Sequence, residues 1–373
     1  MTLITFISYA YDFEVDGIYY NRNYDWSSAE PKYDGTVSVT KGNYGYSGDI
    51  VIPDVVNYDG VEYKVTGIEQ YYFDMSYWNN NLFGDIKSII IGNNITYLQP
   101  YTFANCKQLT TVVLPNNLKH IGEYAFQGCT NLMSIKLPES LENIENCAFC
   151  ECTGLVSITI PNSIKKLGNS VFVSCSSLSS VNVPTSITKL SDGLFNGCGL
   201  KDIEIPSNIE EIGDGCFGKT KIKEIVIPNT VKKMGIGVFS SCYELESVTL
   251  PDGLDEIAQS MFSNSHISIV NIPNSVKKIC SNAFWACGNL KSITIPNSVI
   301  FIEEEAFSHS GLISIELPEG IESINGKVFW ECCDLKKVRI PKNVKTIYAN
   351  AFNTDIHSVD IEDIYIYAET PPT

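Results

Sequence analysis

Apolar and polar residues follow one repeated pattern along most of this chain. In Cys152–Phe172, CTGLVSITIPNSIKKLGNSVF, Leu155, Ile158 and Ile160 alternate with Ser157 and Thr159, the two-residue period of a half-buried strand. Pro161 follows; having no N–H to give a strand ladder, it ends the strand. Asn162-Ser163 turns the chain, and Ile164 and Leu167 point back inward. Phe172 then supplies the largest apolar side chain, predicted on a short helical turn. The Phe recurs at 103, 126, 149, 172, 195, 217, 239, 262, 284, 307, 329 and 352, always 22 or 23 residues apart. The Pro recurs in step from 115 to 341. One unit cannot bury its apolar stripe alone. Stacked copies bury it continuously and align their strands as a parallel sheet about 4.8 Å apart. The expected fold is one continuous solenoid, mostly strand and turn, with about 13 rungs counted by these Phe together with Phe73.

The two ends depart from the pattern. Residues 1–10, MTLITFISYA, are apolar and uncharged, and Ser8-Tyr9-Ala10 has the small-x-small form of a signal-peptidase site. They are expected to be an export-signal remnant, with a buried first strand as the alternative. Fifteen of the 20 tyrosines precede residue 102. Phe13–Tyr20 alternates around Asp16-Gly17, a hairpin signal, and Val37–Thr40 and Asp49–Ile52 could add strands. A solenoid's end rung exposes an apolar face and an unpaired edge. Tyr suits a cover for it, because one end of the ring packs while the other stays wet. Residues 11–52 are therefore expected to form an N-terminal cap and 53–361 the solenoid. The solenoid would open with a degenerate rung ending at Phe73, followed by an insertion around 74–85, and residues 362–373 would form a tail.

The motif L-x-x-[IV]-x-[IL]-P-x-x-[IVL]-x-x-[IL]-x-x-x-[AV]-F-x-x-C is clearest in Leu132–Cys152, Leu155–Cys175 and Leu290–Phe307. It resembles the Treponema-type leucine-rich repeat of BspA-like bacterial surface proteins, in which Pro closes the strand where ordinary leucine-rich repeats carry Asn. The period lies in the leucine-rich-repeat range. The resemblance covers about residues 50–361, and the start, Ala10–Tyr20, looks like the mature N-terminus of such proteins from Bacteroidetes. It implies an α/β-type repeat solenoid, right-handed, with a parallel sheet on its concave face and short helical turns. It also implies a secreted or surface-attached protein that adheres to host proteins or to other bacteria. Some relatives continue past a Thr-Pro-Pro-Thr like Thr370–Thr373 into a closing segment, which would make this copy truncated. No family motif marks a binding residue, so none is carried over.

Charge narrows the function classes. A net charge of −17 and a pI near 4.7 oppose binding to nucleic acid, which needs a basic footprint, and docking on anionic lipid. No apolar run approaches the roughly 20 residues of a membrane span.

Eight of the 13 cysteines lie three residues after a repeat Phe: Cys106, Cys129, Cys152, Cys175, Cys198, Cys242, Cys287 and Cys332. All seven rungs with 12 residues from Phe to Pro carry this Cys. Of the four rungs with 11, only the one after Phe195 does; the others have Thr220, Ser265 and Ser310. A residue that tracks turn geometry is expected to be a small buried packing group and a free thiol. Cys147-Ala148-Phe149-Cys150-Glu151-Cys152 lacks the distant second pair of a zinc site, and Cys332-Cys333 would need a strained vicinal bridge. No metal or cofactor is expected. His120, His266, His309 and His357 fall in different rungs, and no nucleophile-elbow, zincin, P-loop or Rossmann pattern occurs. No catalytic residue is assigned, and the reading is non-enzymatic.

Three surfaces remain as candidates. The outward strand positions form a ladder of small hydroxyls (Ser134, Ser157, Ser180, Ser247, Ser292) with an acidic centre at Asp202, Glu204 and Glu224. The return segments carry charges that alternate in sign from Glu210-Glu211 to Lys277-Lys278, most simply a device that registers neighbouring rungs. That column breaks at Ile300-Phe301. Trp285, Trp330, Tyr348 and Arg339 lie in the same late rungs, and interface energy concentrates in such aromatic and Arg anchors. Trp285, Phe301, Trp330, Arg339, Ile300 and Tyr348 are thus the first candidates for contact with a protein partner. The favoured function is a protein-binding adhesion module. A structural spacer that presents another domain, or a glycan-binding accessory module, is the alternative.

Overall fold

The computed structural model describes residues 11–25, 32–42, 45–69, 82–352 and 363–366. The proposed export-signal segment, Phe73, most of the expected insertion, His357 and residues 367–373 lie outside them. The chain divides after Leu178 into two compact units.

The first unit opens with strands β1 (Phe13–Val15), β2 (Ile18–Asp25), β3 (Lys32–Thr40), β4 (Ser47–Ile52), β5 (Val55–Tyr58), β6 (Val61–Ile68) and β7 (Asp85–Ile91). β1 and β2 form the antiparallel hairpin that Asp16-Gly17 signals, with Val15 opposite Ile18. A five-stranded sheet runs in the order β1-β2-β3-β6-β5. Phe13, Tyr20 and Tyr63 are buried on it, and the Phe13 ring stacks 4.4 Å from Tyr58. The boundary expected after residue 52 needs correction, because the two parts interleave. β4 belongs to the solenoid, pairing in parallel with β7, whereas β5 and β6 join the cap sheet. The alternation in Val61–Ile68 is that of a cap strand and of a rung strand alike, so it could not separate them.

Each solenoid rung has three sides. The first is the predicted strand, in parallel register with its neighbours: Ser88 opposite Thr111 in the first unit, and Glu224, Ser247 and Ile269 in line in the second. The second side is the return segment. It too forms parallel strands, His120 beside Asn143 and Asn143 beside Lys166, so each rung feeds two sheets where one was expected. The third side is the Phe turn. Ring centroids follow one another at 5.0–5.8 Å from Phe83 to Phe172 in the first unit. From Phe195 to Phe352 in the second they are 5.1–5.9 Å apart.

Three expectations are corrected here. The solenoid makes about 11 turns, fewer than the 13 counted by Phe. Phe83, fully buried and 5.0 Å from Phe103, extends the ring column one step before Phe103. The last first-side strand is Asp363–Ile366, with Asp363 and Tyr365 opposite Lys337 and Arg339, so the solenoid runs past residue 361, where the tail was expected to begin. There is also no helix among the described residues. The residues two before and two after each repeat Phe from Phe103 to Phe329 are left-handed, for example Tyr124 (φ 56°) and Gly128 (66°), or Glu305 and His309 (60° each). A left-handed L-residue cannot continue a right-handed helix. The alternation instead sends every second amide to the next rung. Tyr124, Phe126 and Gly128 donate to the carbonyls of Asn146, Ala148 and Cys150 at 2.8–3.1 Å, while the amides between them close local turns.

Candidate functional site

The cysteine column belongs to the frame. All eight repeat cysteines are buried. Seven of the thiols, those of Cys106, Cys129, Cys152, Cys175, Cys242, Cys287 and Cys332, donate to the carbonyl of the preceding rung's Phe at 3.0–3.1 Å. In a shorter turn the hydroxyl of Thr220 donates to its own Phe217 carbonyl at 2.8 Å. The exchange of Cys for Thr or Ser, visible in the sequence, thus reflects a hydrogen-bonding role as well as packing. Burial pushes the Cys287 thiol up to about 12 and Cys332 up to about 11, the wrong direction for a nucleophile or a metal ligand. Burial likewise raises Cys150, in the cluster Cys147–Cys152. Among the described residues no group of three or more potential ligands converges on a metal site.

The second sheet is laced by ion pairs, as the alternating signs predict. Glu142 is gripped by Lys119 at 3.0 Å and Lys165 at 2.7 Å in the first unit. Glu211 is held by Lys189 at 2.9 Å and Lys233 at 3.6 Å in the second. Hydrogen bonds from Lys165 and Lys119 hold the Glu142 carboxyl down at about 2. These charges are engaged in rung registration.

The late-rung candidates do not form one patch. Trp285 and Trp330 lie on the Phe-turn side, bridged by His309, with ring centroids 5.5 and 5.1 Å away. Ile300 and Phe301 are 59% and 44% exposed on the second sheet, where Phe301 pairs with Lys278. Tyr348 follows a second-sheet strand and gives its amide to the Ile324 carbonyl at 2.9 Å. Arg339 is on the first sheet and is paired with Glu316. His309 was missed as part of a surface array. Its position two residues after Phe307, one rung from each Trp, was the available signal.

The structure does bring the acidic candidates together. Asp202, Glu204 and Glu224 line one first-sheet groove of about 620 Å³ with Ile203, Ile205, Ile225, Val226 and Pro228. All three carboxylates are exposed and, among the described residues, none has a hydrogen bond or ion pair. Val226 is 67% exposed beside them, in register with Thr249 and Asn271.

A parallel solenoid of short rungs, with a buried Phe–Cys spine and its distinctive chemistry on outward faces, defines a repeat scaffold. The chain belongs to the BspA-type leucine-rich repeat family: six copies of that repeat region match, over residues 66–200, 167–291 and 278–369. Its fold is similar to that of a leucine-rich repeat protein from Bacteroides ovatus, 29% identical over 90% of both chains, with a TM-score of 0.66. A leucine rich cell surface protein from Faecalibacterium prausnitzii is 22% identical over 96% of this chain and 95% of that one, with a TM-score of 0.52. A leucine-rich repeat protein of T. pallidum is 25% identical over 60% of this chain and 87% of that one, with a TM-score of 0.41. No curated protein matches the sequence. Among the described residues no helix is long and apolar enough to cross a membrane.

Proposed function

We propose that this protein is a non-enzymatic, secreted or surface-exposed module that binds a protein partner through the first-sheet groove around Asp202, Glu204 and Glu224. The observation that carries this reading is the contrast among carboxylates. Glu142, Glu211, Glu303 and Glu316 are held by Lys or Arg. The three groove carboxylates face solvent with no partner among the described residues, beside an exposed Val226. Unpaired like charges around an apolar centre suit a segment that brings Lys or Arg to the rim and an apolar side chain to the middle. The family supplies a rigid frame for such a surface, and the F. prausnitzii protein of similar fold is a cell surface protein. A host matrix protein or a protein on another bacterium fits the role.

The test is capture of such partners by the purified chain. Glu204→Lys with Glu224→Lys should abolish binding, and raised salt should slow association with wild type. Trp285→Ala with Phe301→Ser should leave the same binding intact. The opposite pattern would move the protein-binding site to the late rungs. Retention of binding by both double variants would refute both assignments.

A further inference from the structure

The second unit carries another side-chain array that the frame does not use. It follows the Phe-turn side over five successive rungs, those of Phe239, Phe262, Phe284, Phe307 and Phe329. Tyr243 is 55% exposed and meets His266 edge-on at 5.8 Å. Asn264 Nδ2 donates to the Tyr243 hydroxyl at 2.9 Å, and the Asn264 amide donates to the Trp285 carbonyl at 2.7 Å. The Trp285 ring is 5.5 Å from that of His309, which meets Trp330 edge-on at 5.1 Å. Buried Ser308 places its hydroxyl 2.9 Å from His309 Nδ1, so Nε2 is left without a partner among the described residues. Lys327 lies 5.3 Å from the Trp330 centroid and pairs with Glu305 at 3.3 Å.

We infer that this array binds a neutral, extended oligosaccharide of β-linked pyranoses. A pyranose has an apolar C–H face and a rim of hydroxyls. It therefore calls for aromatic faces interspersed with neutral donors and acceptors, which Trp285 and Trp330 supply together with Asn264, His309 and the Tyr243 hydroxyl. Spacing makes the ligand a chain. The rungs repeat at the strand separation of a parallel sheet, and an extended β-linked pyranose chain advances by nearly that distance per sugar. Trp285 and Trp330, two rungs apart, would address alternate sugars, with His309 Nε2 reaching the hydroxyls of the sugar between. Lys327 and Glu305 beside the rings pair with each other, and Glu244 and Glu331, next to Tyr243 and Trp330, oppose an acidic chain. The shape is a line of single residues, unlike the central desolvated pocket that concentrates energy in a protein interface. The array is on a different side of the rung from the groove proposed above, so the two sites stand or fall separately.

Titration calorimetry of the whole chain with the β-1,4-linked hexaoses of glucose, mannose, xylose and N-acetylglucosamine tests this. At least one should bind, and more tightly than its own disaccharide, because the array spans several rungs. Trp285→Ala and Trp330→Ala should each weaken binding at least tenfold, about 1.4 kcal/mol. Trp285→Tyr should retain most of it, and Glu204→Lys with Glu224→Lys should change nothing. Melting curves identify any variant that fails to fold, and Trp285→Tyr then carries the test. The inference is overturned if no hexaose binds, if hexaose and disaccharide bind alike, if both Ala variants bind normally, or if hexagalacturonate binds in preference to the neutral chains.

Discussion

At the scale of the residue, the repeat Phe is the determinant of the fold. Phe217 is fully buried, with Phe195 5.9 Å away on one side and Phe239 5.8 Å on the other. Its amide donates to Val238 and its carbonyl receives the Cys242 thiol. Phe217→Ala removes the ring and leaves a cavity that its neighbours cannot close without breaking the column. The expected cost is about 3–5 kcal/mol in denaturant unfolding. Rungs couple chiefly to their neighbours, so amide exchange should rise over residues 195–240 and stay slow over 300–340. A uniform rise would contradict nearest-neighbour coupling. The Phe, the Pro and the inward aliphatics were legible in the sequence because each repeats with a spacing that only stacking satisfies. The left-handed positions around each Phe were not. They are filled by Tyr, Cys, Ser, Lys, Glu and Asn as well as Gly, and their conformation is set by the amide that must reach the next rung, not by local preference. That is why helical turns were expected where the described residues form none.

At the scale of the element, the second sheet is registered by charge. Strands of two residues, such as Asn143–Ile144 and Lys166–Leu167, make few ladder bonds, so cross-strand side chains bear on their alignment. Glu142 between Lys119 and Lys165 is the clearest instance. Its carboxyl titrates at about 2 in the folded chain, against about 4.3 for an unperturbed Glu. A depressed carboxylate contributes stability that is fully present above the unfolded value and is lost as pH falls through the folded one. Thermal stability of wild type should therefore decline between roughly pH 4.5 and pH 2. Glu142→Gln should melt lower than wild type near neutral pH and converge on it near pH 2. Equal melting temperatures at neutral pH would show that the pairs contribute nothing, which is common for exposed ion pairs. The sign alternation was readable because charges at a fixed repeat position become neighbours in a stack. The groove was only partly readable. Asp202 and Glu224 share a repeat position, but their freedom from Lys depends on where the lysine side chains reach.

At the scale of the whole molecule, a protein with 13 cysteines, if extracellular as proposed, would ordinarily invite disulfides. The solenoid removes the need: small extracellular domains use bridges because their cores are small, whereas here apolar burial continues along the stack in each unit. Eleven of the 13 cysteines are buried, Cys147 is half-buried and Cys333 is exposed. In the native protein a thiol reagent should modify Cys333 promptly and Cys147 more slowly, and leave the buried column untouched. All 13 should react after denaturation. Burial and the neighbouring Glu331 carboxylate raise the Cys333 thiol, and the thiolate is the reactive form, so its modification should accelerate well into the alkaline range. Cys333→Ser should remove the fast phase without shifting the melting temperature, and reducing agent alone should leave that temperature unchanged. A fall of tens of degrees on reduction would mean that bridges, and not the Phe–Cys column, hold the stack together.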